Sequence, residues 1–418
     1  MTSLGDDLRA FIDVSPTPFH AVAEMTRRLS AAGFTALDEK LRWTLQPGGQ
    51  HFVIRDGGSL IAFRIGSEPL ATSGARIVGT HTDSPTFKVR PLSDVSRAGY
   101  RLVGVEPYGG MLAHTWMDRE LTAAGRVALN DGSLRLVRLP GSQLRLPSLA
   151  IHLDRSVRDG LVLDPQRQLV PVFGLDAEPT LIEAIADVLA ISPSDILSHD
   201  LVLTDTQPAG STGSDWIAAP RLDNLGSCHG ATHALIDAAP TSHTALFVAN
   251  DHEEVGSDSA EGASGSFLED VLARLVAGTG DHDPQARHIA AARSRMLSAD
   301  MAHAIHPNYA DRHEPSHTPL LGSGPVLKSN ANQRYATDAG TAAWFLRRCT
   351  SVGVPVQHFV TRADLPCGST IGPLTATRLG IPTADVGSPM LAMHSCREVA
   401  SAEDVPLMIS AMTACLSG

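Results

Sequence analysis

The sequence predicts an α/β protein, a sheet with helices packed on it, interrupted by a second and mostly β region. Two observations predict it. Beyond about residue 207 the chain repeats strand, loop and helix, with apolar runs at 245–249, 295–298 and 382–386 and helical spacing at 224–238 and 338–352. Between 93 and 206 the texture changes to short alternating strands joined by turns. With 418 residues, 43% apolar and 19% charged, the chain is long enough for roughly two or three domains and has the composition of a folded protein. The expected division is a main domain from residues 1–92 and 207–418 and an inserted β-rich domain from 93–206.

Taken in order, Thr17 caps a helix that Pro18 opens and Gly33 stops, with Phe19, Val22, Thr26 and Leu29 at helical spacing. Residues 51–55 and 60–65 flank the turn Asp56-Gly57-Gly58 as a hairpin. The run Arg76-Ile77-Val78-Gly79 reads as a buried strand that empties into His81-Thr82-Asp83-Ser84-Pro85. In the second region, residues 127–129 and 134–139 form a hairpin about Asp131-Gly132, 149–153 reads as another strand, and 179–189 as a helix. The stretch from Pro208 to Ser214 reads as a flexible return. The later strands lead into Asp251-His252-Glu253-Glu254, into Asp300 and towards Met393-His394-Ser395. Ligands of α/β sheets bind beyond the carboxyl ends of the strands, and these acids and histidines fall there.

Several chemistries are excluded or disfavoured. A net charge of −12 argues against nucleic acid or an anionic membrane as partner, and no apolar run is long enough to span a bilayer. Five cysteines without a C-x-x-C pair, behind a polar start, suggest a reduced cytoplasmic protein with no thiolate zinc cluster. There is no G-x-S-x-G elbow, no Gly-Lys pair for a P-loop, and Gly256 stands where a zincin helix needs its second histidine. What remains is a dispersed set of metal ligands. His81 lies two residues before Asp83, a spacing that lets the carboxylate fix the imidazole, although a hydrogen-bonded turn explains it too. Asp223 opens a helix as a ligand or an N-cap. Glu253 and Glu254 repel each other unless a cation or a shared proton relieves them, or unless the turn is simply solvated. Asp300 and His394 each follow apolar sequence, and the other histidines between His282 and His317, His303 apart, read as solvated.

Together the motifs identify a resemblance to the M18 aminopeptidases, the aspartyl aminopeptidase group of zinc exopeptidases. It runs through Ser15-Pro16-Thr17-Pro18-Phe19-His20, Gly79 to Pro85, Tyr108-Gly109-Gly110, Thr115 to Arg119, Ala150-Ile151-His152-Leu153, Asp205 to Pro208, Ala219 to Leu225, Glu253 to Ser257, Ser298 to Ala304, Lys328 to Tyr335 and Met393-His394-Ser395. The resemblance implies a three-layer α/β zinc-exopeptidase domain with an inserted dimerisation domain, and two Zn2+ per subunit, for which Co2+ or Mn2+ can substitute. Asp223 would bridge the ions, His81 and Asp300 completing one site and Glu254 and His394 the other. Glu253 would be the general base for a water held between the metals, and Asp83 would orient His81. Lys328, one of only three lysines, would line the substrate pocket with His303 and Tyr335 and favour acidic N-terminal residues of peptides. His152 would reach the active site of a neighbouring subunit, in a dimer-based homo-oligomer of the tetrahedral dodecamer kind. Competing readings are a zinc amidohydrolase for N-acyl amino acids and a non-catalytic scaffold with structural metals.

Overall fold

In the computed structural model, which describes residues 3–212 and 215–418, the centre of the molecule is a nine-stranded mixed sheet. Its spatial order is Thr35–Ala36, Gln50–Arg55, Ser59–Arg64, Thr244–Asn250, Ala75–His81, Arg295–Ala299, Thr383–Gly387, Val326–Ser329 and Gln357–Val360. The four strands Thr244–Asn250, Ala75–His81, Arg295–Ala299 and Thr383–Gly387 lie side by side and parallel. Every residue of Thr244–Asn250 is buried, as a strand covered on both faces must be. One face packs on the helices Leu4–Asp13, Pro18–Ala31, Leu222–Asp237, Ala339–Ser351 and Asp404–Leu416 through a core that includes Phe11, Met25, Phe247, Leu297 and Met412. The other packs on Phe267–Gly278, Ala286–Arg293 and Ile371–Leu379 around Phe63, Phe267, Val271 and Met296. This is the α/β class expected. The expected helix at Thr17 is Pro18–Ala31, with the Thr17 hydroxyl accepting from the His20 amide.

A six-stranded antiparallel sheet has the order Leu134–Arg138, Leu121–Leu129, Ile196–Asp205, Thr86–Arg97, Tyr100–Tyr108 and Val172–Leu175. It takes up the chain at Thr86, ahead of residue 93, because Thr86 already pairs with Tyr108. Residues 149–153 are not a strand: no ladder partner reaches them, and they form an exposed turn in which Leu153 is 75% exposed. Their apolar and polar alternation imitates a half-buried strand, but among the described residues its apolar side stays exposed. A third sheet, of five short strands, was not predicted: Gly210–Thr212, Trp216–Ala219, Glu398–Ser401, Pro389–Leu391 and Ala302–His303. The return at Pro208 to Ser214 therefore enters a strand, and its Gly213 and Ser214 lie outside the described residues. Among the described residues no helix is long and apolar enough to cross a membrane.

One buried polar cluster pins the first helix to the core. Asp7 accepts from His229 at 2.7 Å, His233 at 2.9 Å and Arg28 at 2.6 Å, all on the same oxygen. Burial holds the His229 imidazole down at about 4, against the opposite pull of Asp7. The unfolded chain takes up a proton on this residue near its ordinary pKa of about 6.5, whereas the folded chain resists until about pH 4. The contribution is therefore complete above about pH 6.5, is lost as pH falls through about 4, and amounts to about 3 kcal/mol at most. His229→Gln is expected to flatten this part of the stability profile, read from urea midpoints at about pH 7 and about pH 4.5; an unchanged slope would remove His229 as its source.

Candidate metal centre

Three neighbouring parallel strands deliver His81, Glu253, Glu254 and Asp300 to one end of the sheet. His81 ends Ala75–His81 and pairs in register with Asn250, the last residue of Thr244–Asn250. The next turn carries Glu253 and Glu254. Asp300 follows Arg295–Ala299, and its amide donates to the Val386 carbonyl at 3.0 Å. Gly387 is required beside it, since a Cβ there would lie 1.9 Å from the Asp300 carbonyl oxygen. Asp223 is not an N-cap. Its backbone (φ −83, ψ 104) is of the kind an N-cap adopts, but its carboxylate caps no amide and faces the histidines instead. Arg221, His252 and His394 hold φ of 58, 64 and 66 next to or within the acid and histidine set, a left-handed conformation that costs on the order of 1–3 kcal/mol each for such residues.

The Asp223 carboxylate lies between two imidazoles. His81 Nε2 is 3.3 Å from one oxygen and His394 Nε2 is 3.3 Å from the other. His81 Nε2 also faces Asp300 at 3.4 Å, and His394 Nε2 faces Glu254 at 3.4 Å. The other ring nitrogens are tied back: His81 Nδ1–H donates to the Asp83 carbonyl at 3.1 Å, and His394 Nδ1–H to the Gly110 carbonyl at 2.9 Å. Each bond aims Nε2 at the acids, the usual arrangement of a histidine ligand. His81, Asp223 and Asp300 form one triad of potential ligand atoms, and Asp223, Glu254 and His394 another. One oxygen of Asp223 and one of Glu254 are buried without a hydrogen bond.

The electrostatics agree with a site built for cations. Burial, with Asp300, Asp223 and Asp83 adding repulsion and His81 opposing, pushes Glu253 up to about 8. Burial and the Asp223 charge raise Glu254 well above the carboxylate range. Burial works against charging the imidazoles, but the neighbouring carboxylates, Asp223 foremost, overcome it, raising His81 strongly and His394 to about 9. Carboxylates crowded this closely need positive charge among them. Zinc, which binds imidazole and carboxylate, fits this donor set and its orphaned oxygens. The cluster of Asp7, His229 and His233 also has ligand spacing, but the Arg28 guanidinium already supplies the cation there.

Tyr108 and Glu398, neither given a role from the sequence, support the site. The Tyr108 hydroxyl donates to Asp83 Oδ2 at 2.7 Å, and the amides of Glu253 and Glu254 donate to the same carboxylate at 3.1 and 3.0 Å. Glu398, buried on the third sheet, accepts from the Asp223 amide at 3.1 Å and the His394 amide at 2.7 Å, joining residues from both triads. Its place four residues after His394 is the only hint the sequence offers.

Lys328, expected to line the substrate pocket, is deeply buried beside Asp300. It is 2% exposed, donating to the carbonyls of Asp300 (2.9 Å) and Met301 (3.2 Å), with the Asp300 carboxylate at 3.7 Å and the Tyr335 ring at 5.1 Å. His303 is solvent-facing and stacks edge-on with Phe359, which also meets Tyr335. His152 is not gathered with the others; it sits on the exposed turn at 149–153. Of the histidines read as solvated, His282 and His288 are exposed, whereas His306, His313 and His317 are half-buried within their own loop.

A family model described as aminopeptidase I zinc metalloprotease (M18) matches residues 11–415. The chain belongs to the M18 aminopeptidase family. A probable M18 family aminopeptidase 2 of Stutzerimonas stutzeri is 45% identical over 423 residues, covering 98% of this chain and 97% of that protein. One from Ectopseudomonas mendocina is 44% identical over 416 residues, covering 97% and 96%. Among solved structures, the Ape4 and Nbr1 complex contains a chain 38% identical with a TM-score of 0.95, covering 99% of this M18 protein and 85% of that chain. The S. cerevisiae mApe1 dodecamer matches at 28% identity and a TM-score of 0.86, covering 98% and 95%. This M18 chain is accordingly a zinc metalloaminopeptidase in family and fold.

Proposed function

We propose that this M18 protein is a dinuclear zinc enzyme that removes the N-terminal residue of peptides, acidic residues preferred, in the cytoplasm. The observation that carries the two-ion reading is Asp223, whose oxygens face His81 on one side and His394 on the other, each joined by one further acid. His81 and Asp300 would hold one ion, Glu254 and His394 the other, with Asp223 shared. Bound zinc supplies Lewis acidity and lowers the pKa of water. Glu253, buried beside these ligands, takes the proton of the attacking water and returns it to the departing amine. Asp83 keeps the His81 ring in place through its main-chain carbonyl, which accepts from Nδ1, and through its carboxylate, which Tyr108 and two amides hold 3.4 Å from the same nitrogen.

The reading is tested with peptides beginning with Asp, Glu, Leu and Lys, assayed before chelation, after it, and after zinc or cobalt return. Cleavage of N-acyl substrates with refusal of free-amine peptides would contradict it. The acidic preference follows the family resemblance with Lys328 as the candidate cation, while its bonds to two carbonyls and its place beside the Asp300 carboxylate give it a positioning duty as well. Lys328→Ala is expected to lower kcat/KM for Asp and Glu substrates at least about tenfold more than for Leu substrates, the worth of a charge-assisted contact. Equal losses would assign it to positioning alone.

A homo-oligomer completes the proposal. Leu149, Ile151 and Leu153 flank His152 with exposed apolar side chains, and Val162 nearby is 88% exposed, a surface suited to a neighbouring subunit. The S. cerevisiae relative is a dodecamer. Light scattering is expected to give a multimer, and His152→Ala to reduce turnover with zinc content intact; a fully active monomer would overturn both.

A further inference from the structure

The end of the central sheet away from the ligands carries a second charged feature. A groove there is lined by Arg76, Arg293, Arg295, Arg347, Arg348 and His243. Arg76 and Arg295 are register partners at the starts of the parallel strands Ala75–His81 and Arg295–Ala299. Arg347 and Arg348 come from the last turns of helix Ala339–Ser351. Among the described residues none of the five guanidiniums has a carboxylate within ion-pair distance. Arg76 instead donates to the carbonyls of Ala75 and Arg293, both at 3.2 Å, and lies 3.2 Å from His243 Nε2. Arg295 donates to the Ser294 carbonyl at 2.9 Å, and Arg293 to that of Thr72. The acid on the groove, Asp338, caps the helix and accepts from the Thr341 amide at 2.7 Å.

Two features mark the concentration of positive charge in this cluster. Arg76 Nε is buried with no partner, and burial together with the charges of Arg295 and Arg348 depresses the Arg76 pKa. Like charges set opposite each other on paired strands are also unfavourable. In a chain with net charge −12, such a concentration of unpaired arginine runs against the overall balance. Guanidinium forks match phosphate oxygens two at a time, and several linked phosphates span several arginines where one carboxylate would not.

The geometry points to a binding site in this groove for an anion of linked phosphates, either inorganic triphosphate or the triphosphate arm of a nucleotide. It is separate from the metal centre, and its test does not depend on peptide hydrolysis. Magnesium triphosphate is titrated calorimetrically into the full-length protein at near-physiological salt, alongside thermal melts. The expected result is saturable binding of one anion per chain with a rise in Tm. Affinity should fall at least about tenfold in Arg347→Gln/Arg348→Gln, since each lost charged contact is worth about that factor. Arg347→Gln alone, at an exposed position, keeps the test free of folding defects and should weaken binding in the same direction. Magnesium ATP binding as tightly as triphosphate would identify phosphates alone as the ligand, and tighter binding would identify a nucleotide. No saturable binding, equal affinity in wild type and variants, or a tetraglutamate peptide binding as tightly as triphosphate would overturn the proposal. Removal of zinc by the probe would affect wild type and variants alike and lower Tm, so it counts as the overturning pattern.

Discussion

Glu253→Gln is expected to lower kcat about 10³-fold, with KM changed little and bound zinc unchanged. The substitution keeps the size of the side chain and removes only its ability to accept a proton, and a positioned general base contributes on the order of 10²–10⁴ in rate, here about 4 kcal/mol of barrier. Glu253 belongs to neither triad that shares Asp223 but stands within ligand spacing of His81 and Glu254, so bound zinc is the control that separates base from ligand. The side chain is buried beside Asp300 and Asp223, close to the ligands but free to accept a proton. Rapid-mixing kinetics with zinc analysis on the same sample separates the outcomes. Normal turnover would remove Glu253 from the chemistry, and a parallel loss of zinc would reassign it as a ligand.

Asp223→Asn is expected to be at least as severe, through a different route. Both oxygens of Asp223 face imidazoles, so losing the charge weakens two sites at once. Activity should fall more than about 10³-fold, since metal assistance is worth several kcal/mol, and dialysed protein should hold close to no zinc. Asp300→Asn touches one triad only and is the matched control. Retention of one tightly held ion in Asp223→Asn would show that the two sites do not share this residue.

What was legible in the sequence follows from how each feature is encoded. Long buried strands such as Thr244–Asn250 and Ala75–His81 announce themselves as apolar runs, and the acids and histidines just beyond them could be named because parallel sheets place ligands there. Asp223 was legible as a residue but not in its conformation, since a helix start and a ligand look alike in one dimension. The third sheet was not legible: Ala302–His303 is a strand of two residues, too short for any periodicity, so Glu398 and its bonds to the Asp223 and His394 amides stayed hidden. Lys328 stood out by rarity, yet its burial depends on the carbonyls of Asp300 and Met301, which no local pattern reveals. The turn at 149–153 misled for the opposite reason. It has strand alternation without a strand to pair with, and its apolar side chains remain exposed within one chain.

The central claim is that two zinc ions sharing Asp223 are both required for removal of an N-terminal residue. The most direct measurement is a titration of metal-stripped protein with zinc, following bound metal and hydrolysis of a free-amine peptide in the same samples. The account predicts that binding saturates at two equivalents per chain and that most of the activity appears with the second. Full activity at one equivalent, or a fully loaded protein that leaves free-amine peptides intact, would contradict it.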